Sequence, residues 1–366
     1  MSNRVQSGNA PDIRWDTGTA YDFFISYSVL AHPRRFGLRS SWATGMRARL
    51  QVEDRETLDH ALSVVDSPDR WIHTLTTPKD VEHCLDELAH IPAVKRLAKL
   101  TCLPAEKAER SERERLLVTI SQQGEWAAEH LAELRKLKTV QKRSETKAPT
   151  EQELEAMLNA WANPEAFGES YLRALRSYYD VFFAEEERRI GPKLDAALDQ
   201  AKERAHILPF VDFLEEISQG IRYEDVQKVE TLTLVPSFWI SPFIRIHTLG
   251  PREHLVTFGA RASQDSIVPG DPVPDALRVA LKALADPTRL RMLRYMNAEP
   301  LTMGELTKRL RLRMPTVMHH MEALRLAGLV SIHMEAKEKG YRQRFGTRIE
   351  NMEMLMKMLR EFLEST

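Results

Sequence analysis

Cysteine is nearly missing from this chain: two in 366 residues, Cys84 and Cys102. That excludes a disulfide framework and fits a reducing cytosol. Long apolar runs are missing too. No stretch approaches the roughly 20 residues that cross a bilayer as a helix, so no membrane contact is expected. Residues 1–11 are polar and lack the apolar core of a secretory leader, which makes the cytoplasm the expected location. Also absent are a His-Glu-x-x-His pair, a phosphate-cradling glycine loop and a nucleophile elbow. His83 and His90 have no ligand spacing. No catalytic residue, metal ligand or cofactor is therefore assigned, and the chain is expected not to be an enzyme.

Net charge is nearly absent as well, at −1, but its distribution is uneven. Residues 275–366 hold 17 Lys plus Arg against 11 Asp plus Glu, a net +6, while the remainder holds 35 against 42, a net −7. A basic end on an acidic body fits a polyanionic partner, or simply chance clustering. Hydrophobic content of 43% and charged content of 29% are those of an ordinary globular protein, and the length favours two domains.

The first 18 residues read as a frayed tail. Apolar periodicity then predicts helices at 21–30, 46–65, 79–89, 93–100 and 112–137. Residues 138–149 are polar, charged and end in proline, marking a sub-boundary or a loop. Helices resume at 150–162, where Thr150 and Glu153 form a capping box, and at 164–190, which Gly191-Pro192 is expected to break. The aromatic helix carrying Phe167, Tyr171, Tyr178, Phe182 and Phe183 reads as core rather than as a pocket wall. Two further helices follow, at 192–206 and 209–219. After Tyr223 the period changes. Segments 229–235, 238–248 and 254–259 are rich in Thr, Val, Ile and Phe, which predicts a short antiparallel sheet. Gly270 and prolines 269, 272 and 274 mark 263–274 as a linker.

Residues 283–331 carry the clearest functional signal. Three short helical periods lie close together: Pro287 onward, with Asp286 as N-cap; 302–310; and 314–327. In the third, Val317, Met321 and Leu324 share one face, and Gly328 stops the helix. Thr316, His319 and Glu322 lie opposite, with His320 nearer the core. Short strands at 329–333 and 342–347 flank a loop with Lys337 and Lys339, and a last helix spans 349–363. Helix, tight turn and helix with an exposed polar face is the layout that places a helix in the DNA major groove.

The residues Ala283-Leu-Ala-Asp-Pro-Thr-Arg-Leu-Arg-Met-Leu, the Glu305-Leu306 pair and Pro315-Thr-Val-Met-His-His-Met-Glu-Ala-Leu-Arg-Leu-Ala-Gly-Leu-Val resemble the ArsR-type winged helix-turn-helix of bacterial transcriptional regulators. Upstream, Tyr21-Asp-Phe-Phe-Ile-Ser-Tyr-Ser-Val-Leu-Ala-His-Pro-Arg-Arg-Phe and Trp42 resemble the uncharacterised helical domain that precedes such winged helices in some regulators. The resemblance implies a homodimer that binds operator double-stranded DNA, as a repressor, under the control of a signal. Metal sensors of that family carry Cys-x-Cys where this chain has Thr302 and Gly304, so thiolate metal sensing is not expected. Arg313 and Met314 stand at the start of the reading helix, where that family usually has polar residues such as Ser and Gln, with Met318 further along; methionine touches a thymine methyl but does not hydrogen-bond base edges well.

The expected architecture is thus mainly α with small β elements. A mostly helical sensor or partner domain spans 1–262, with its β-rich part at 226–262; a Pro/Gly linker spans 263–274; and a winged helix-turn-helix spans 275–366. DNA contact is assigned to Arg311, Arg313, Met314, Pro315, Thr316, Met318 and His319, and to Lys337, Lys339 and Arg342 on the hairpin. The bland alternative for the hairpin cations is a solvated loop. A dimer seam is assigned to Leu277, Leu281, Met352, Leu355, Leu359 and Phe362, against the alternative that this stripe packs on its own domain. The signal to the N-terminal domain is left open between a small-molecule effector of unknown identity and a protein partner. The rival reading is a protein-docking winged helix without specific DNA binding, since 11 of the 14 methionines lie in residues 275–366.

Overall fold

The computed structural model describes residues 11–65, 68–102, 110–137, 149–223, 229–337 and 340–364. The expected sub-boundary at 138–149 lies outside them except for Pro149.

Helix Thr19–Ala31 is apolar all round and accordingly buried on every side, with Tyr21, Phe23, Ile25 and Val29 all at or near zero exposure. Helices Val52–Val64, Val81–His90, Glu151–Ala162, Pro164–Tyr178 and Ala184–Ile207 contribute to the same core. Phe23, Tyr178, Phe182, Phe183 and Trp239 pack ring on ring, with centroids 5.2–6.5 Å apart. The aromatic helix is core, as its composition predicts. A π-turn at Tyr179–Phe183 inserts the extra residue that lets Tyr178 and Phe182-Phe183 face the same interior.

Three helical expectations need correction. The segment expected as one helix over 46–65 is one helix only from Val52 to Val64, because a preceding helix, Ser40–Arg47, ends inside it. The segment expected as one helix over 112–137 is two, Glu112–Gln123 and Ala128–Lys136, because Gly124 takes a left-handed backbone (φ 74°) that ends the first. Gly191-Pro192 does not break its helix, which runs unbroken from Ala184 to Ile207. Gly191 has no Cβ to clash with the proline ring, and Ile190, Leu194, Leu198 and Ala201 remain buried at helical spacing.

The β-rich part is also different from expectation. It is a mixed sheet, not an antiparallel one, built from β1 (Asp12–Trp15), β3 (Thr231–Ser237), β4 (Ile244–Gly250) and β5 (Glu253–Gly259), in the order β1-β3-β5-β4. β1 and β5 both pair with β3 in parallel, and only β4 runs antiparallel, on β5. β3 is buried on both faces, as a central parallel strand is, whereas β4 has the mixed exposure of an edge. The supposed frayed tail therefore supplies a strand. One face of this sheet packs on Phe213 and Ile217. The turn after β3 is fastened from below: Asp22, fully buried, accepts hydrogen bonds from Ser237 Oγ and from the backbone N–H groups of Phe238 and Trp239, the latter two at 2.9 Å. Burial pushes its carboxyl up to about 6.

Beyond the sheet, helices Asp275–Leu284, Pro287–Ala298, Met303–Leu310, Met314–Leu326 and Ile349–Glu364 surround a hairpin of β6 (Val330–Lys337) and β7 (Gly340–Thr347). Its strands are longer than the expected 329–333 and 342–347. Met292, Leu306, Val317, Met321, Leu324, Ile332 and Phe345 form a separate core. β2 (Ile221–Tyr223) adds a third, parallel strand on β6, with Ile332 N–H donating to Gly220 O at 2.7 Å. Gly220 (φ 108°) is required there, since a Cβ would fall 2.8 Å from Arg348 Cδ.

The Pro/Gly segment is tied down. Ile267 is 1% exposed, Arg189 donates to the carbonyls of Ser266 and Ile267 at 3.2 Å each, and Lys193 and Arg39 pair with Asp265 and Asp271. Prolines deny this stretch regular structure without denying it packing. Arg278 reaches back to Gly37 O at 2.8 Å, where the backbone lies close to Val279 and Leu326.

Candidate nucleic-acid interface

The turn between helices Met303–Leu310 and Met314–Leu326 is three residues long, Arg311 to Arg313. Thr302 and Glu305 cap the first helix reciprocally, and Leu312 N–H closes on Thr307 O at 3.3 Å. Arg311 sits in the left-handed region (φ 56°, ψ 40°), where a side chain costs roughly 1–2 kcal/mol. Arg311→Gly is therefore expected to stabilise the fold by about 0.5–1 kcal/mol, the relief less the chain entropy of glycine. The same change should weaken binding to any duplex several-fold. Denaturant unfolding and a fluorescence-polarisation titration check the pair of effects; a loss of stability would contradict it.

In the second helix Val317, Met321 and Leu324 are 0%, 3% and 0% exposed, the face expected to be inside. Arg311, Arg313, Met314, Pro315, Thr316 and His319 are exposed, and Met318 is half-buried. Glu322 lies one turn beyond His319 on the open side. A carboxylate there repels phosphate but accepts from the cytosine amino group. His320 is half-buried, 3.8 Å from Asp286 Oδ1, and burial holds its imidazole below the ordinary range against the pull of that carboxylate. Asp286 in turn caps helix Pro287–Ala298 through the N–H groups of Thr288 and Arg289. The two histidines thus part company: His319 is open to a partner and His320 belongs to the scaffold.

Arg342 lies 3.7 Å from Glu305, and Arg344 lies 3.3 Å from the same carboxylate and 3.1 Å from Glu335. The hairpin arginines thus balance charge within the chain. Arg311 and Arg313 make no ion pair among the described residues, which leaves the turn as the stronger positive feature. The side chain of Lys337 and the whole of Lys339 lie outside the described residues.

Leu277 and Leu355, expected at a dimer seam, are buried within the chain in one small cluster with Ala280 (1%, 4% and 3% exposed). A short terminal helix had more to cover than its sequence suggests. Leu359 and Phe362 are half-buried on that cluster, and Met352 packs on the neighbouring one. Leu281 is 38% exposed. On the terminal helix Ile349, Met354, Met356 and Leu363 are the large apolar groups left in solvent.

Thr302 is the N-cap of its helix, and among the described residues no group of three His, Cys, Asp or Glu is disposed to hold a metal. Burial pushes both thiols up, Cys102 to about 11, which makes them poor nucleophiles. Among the described residues no helix is long and apolar enough to cross a membrane. Two structural partners escaped sequence reasoning. The three-residue strand Ile221–Tyr223 is too short for a period to show, and Asp22 inside an apolar helix carries no local sign of what it holds.

Compared with known proteins, residues 284–333 match the family model of a helix-turn-helix domain. No curated protein and no solved structure matches the chain. The matched residues contain both helices and the turn described above, and this part of the C-terminal unit is a helix-turn-helix domain.

Proposed function

We propose that this chain is a DNA-binding transcriptional regulator of the ArsR type, a homodimer that represses from an operator and is released by a signal received through its N-terminal unit. It acts by binding rather than catalysis, in the cytoplasm. The observation that carries the reading is the open face of helix Met314–Leu326: two exposed arginines at its start, without ion pairs among the described residues, then Thr316 and His319, with the hairpin alongside. Arginine reads guanine edges or phosphate, and a helix start is the part of such a helix that contacts bases. The exposed Leu281, Met354, Met356 and Leu363 supply apolar surface for a two-fold partner, whose symmetry would match a palindromic operator.

Binding to duplex DNA should weaken steeply with salt. Replacing Lys337 and Lys339 together by Ala is expected to flatten the slope of log K against log salt by about 1.8, two phosphate contacts at roughly 0.9 each. An unchanged slope would remove the hairpin from the interface. A protein-docking role is favoured by one observation, the exposure of Leu290, Met314 and Tyr341 at 40–48% on the same unit. Salt-insensitive binding, or no duplex binding at low salt, would select that reading.

A further inference from the structure

The acidic body of the chain contains one stretch without acid. Between Asp22 and Glu53 there is no Asp or Glu, and there are five arginines, Arg34, Arg35, Arg39, Arg47 and Arg49, although residues 1–274 bear a net −7. Two of the five are spent inside the chain, Arg39 on Asp271 and Arg47 on Asp59. Arg34 and Arg35 are exposed and make no ion pair among the described residues. They stand on the short 3-10 helix Pro33–Phe36. Unspent cations gathered on one segment are the footprint of a polyanionic partner.

This segment is fastened to the outward face of the reading helix. Phe36 is 9% exposed and packs edge-on against Phe243, with ring centroids 5.7 Å apart. The guanidinium carbon of Arg35 lies 6.0 Å from the Phe36 centroid, so its stem starts from a fixed base. Gly37 (φ 68°) follows so close to the helix-turn-helix unit that a Cβ would lie 2.8 Å from Val279 Cγ2 and 3.2 Å from Leu326 Cδ2. Arg278 donates to Gly37 O at 2.8 Å. Leu326 is the last residue of the reading helix and stands two turns beyond the exposed His319 on the same face, opposite the buried Val317, Met321 and Leu324. Two to three turns of helix cover roughly 10–15 Å of axis, and the major groove is about 12 Å wide. A segment seated at the far end of the groove-facing side therefore meets the phosphates that wall the groove.

We infer that Arg34 and Arg35 of the N-terminal unit bind the phosphate backbone of the duplex that lies along helix Met314–Leu326, so that the body of the protein forms part of the DNA interface. The inference rests on the regulator reading and adds to it a contact from outside the helix-turn-helix unit. A guanidinium group pairs with phosphate through two parallel N–H donors. Such contacts raise affinity and fix the position of the protein on the duplex without reading sequence.

The test uses the full chain and a duplex of about 40 base pairs with the parent's best-bound sequence at its centre, titrated by fluorescence polarisation across a range of salt. Arg34→Gln with Arg35→Gln should flatten the slope of log K against log salt by about 1.8 and weaken binding by about tenfold or more near 0.1 M salt. The preferred sequence should not change. Arg34→Lys with Arg35→Lys should keep most of the slope, because the charge remains. Should the double Gln variant fail to fold, each single change should flatten the slope by about 0.9. A folded Gln variant with the parent's slope overturns the inference and leaves the regulator reading standing. A Lys variant whose slope falls as far as the Gln variant's overturns it too, as does a Gln variant that binds duplex more tightly because the segment obstructs DNA. Loss of binding to vesicles of phosphatidylserine and phosphatidylcholine, with the duplex slope unchanged, overturns it in favour of a membrane surface. A folded parent chain that binds no duplex overturns both this inference and the regulator reading.

Discussion

Replacing Arg311 and Arg313 together by Glu is expected to weaken operator binding by about a thousandfold or more. Both side chains are exposed on the turn that leads into the reading helix, and neither is spent on an ion pair among the described residues. Each good arginine contact to a base contributes about 1–3 kcal/mol, and a phosphate contact adds a salt-dependent share. Reversal replaces each attraction with repulsion against a polyanion, so the sum is on the order of 4–6 kcal/mol. The fold should be indifferent, because the helix is held by Val317, Met321 and Leu324 on its other side. Circular dichroism and thermal unfolding would confirm that, while polarisation titrations report the affinity. A folded variant that binds within threefold of the parent would show that DNA, if bound, is bound elsewhere.

The largest effect on stability is expected at Asp22. Asp22→Ala removes the acceptor for Ser237 Oγ and for the N–H groups of Phe238 and Trp239, all buried under a turn that delivers Trp239 to the core at 0% exposure. Buried donors stripped of their partner cost about 1–3 kcal/mol each, so a loss on the order of 4 kcal/mol is expected in denaturant unfolding. Asp22→Asn should lose less, since one oxygen still accepts. The carboxyl also imposes a pH dependence of defined sign. Its folded value of about 6 lies above the ordinary 3.8, so the folded state holds the proton more tightly. Its contribution is therefore full at acid pH and declines as pH rises from about 4 to about 6, by up to about 3 kcal/mol. Asp16, Asp286 and Glu305, held below the ordinary carboxylate range, act oppositely. The Asp22 effect is thus read from the difference between the parent and Asp22→Asn across that range. A difference that grows more favourable to the parent with rising pH would contradict it.

What sequence reasoning reached and missed follows from the range of the interactions. Helix Met314–Leu326 was legible because its three buried residues lie within eight positions, and Asp286, Thr302 and Gly328 mark ends through contacts a few residues away. The chain Tyr21 to Leu30 is legible as a hydrophobic helix from its dense run of apolar residues. The sheet was not. Parallel pairing of Asp12–Trp15 with Thr231–Ser237 joins strands more than 200 residues apart, and nothing local distinguishes that register from an antiparallel one. Pro192 misled because the rule that proline ends a helix depends on the residue before it, here glycine. The seam residues Leu277 and Leu355 misled because an apolar stripe does not say which surface covers it. The same limit applied to Arg342, whose charge faces Glu305.

Selection of bound sequences from a pool of random duplexes by the purified full-length protein tests the central claim most directly. The reading helix of a two-fold symmetric regulator should enrich an inverted repeat with half-sites about one helical turn apart, and the Arg311→Glu, Arg313→Glu variant should enrich none. A folded parent protein that enriches no sequence, or a variant that enriches the same one, would contradict it.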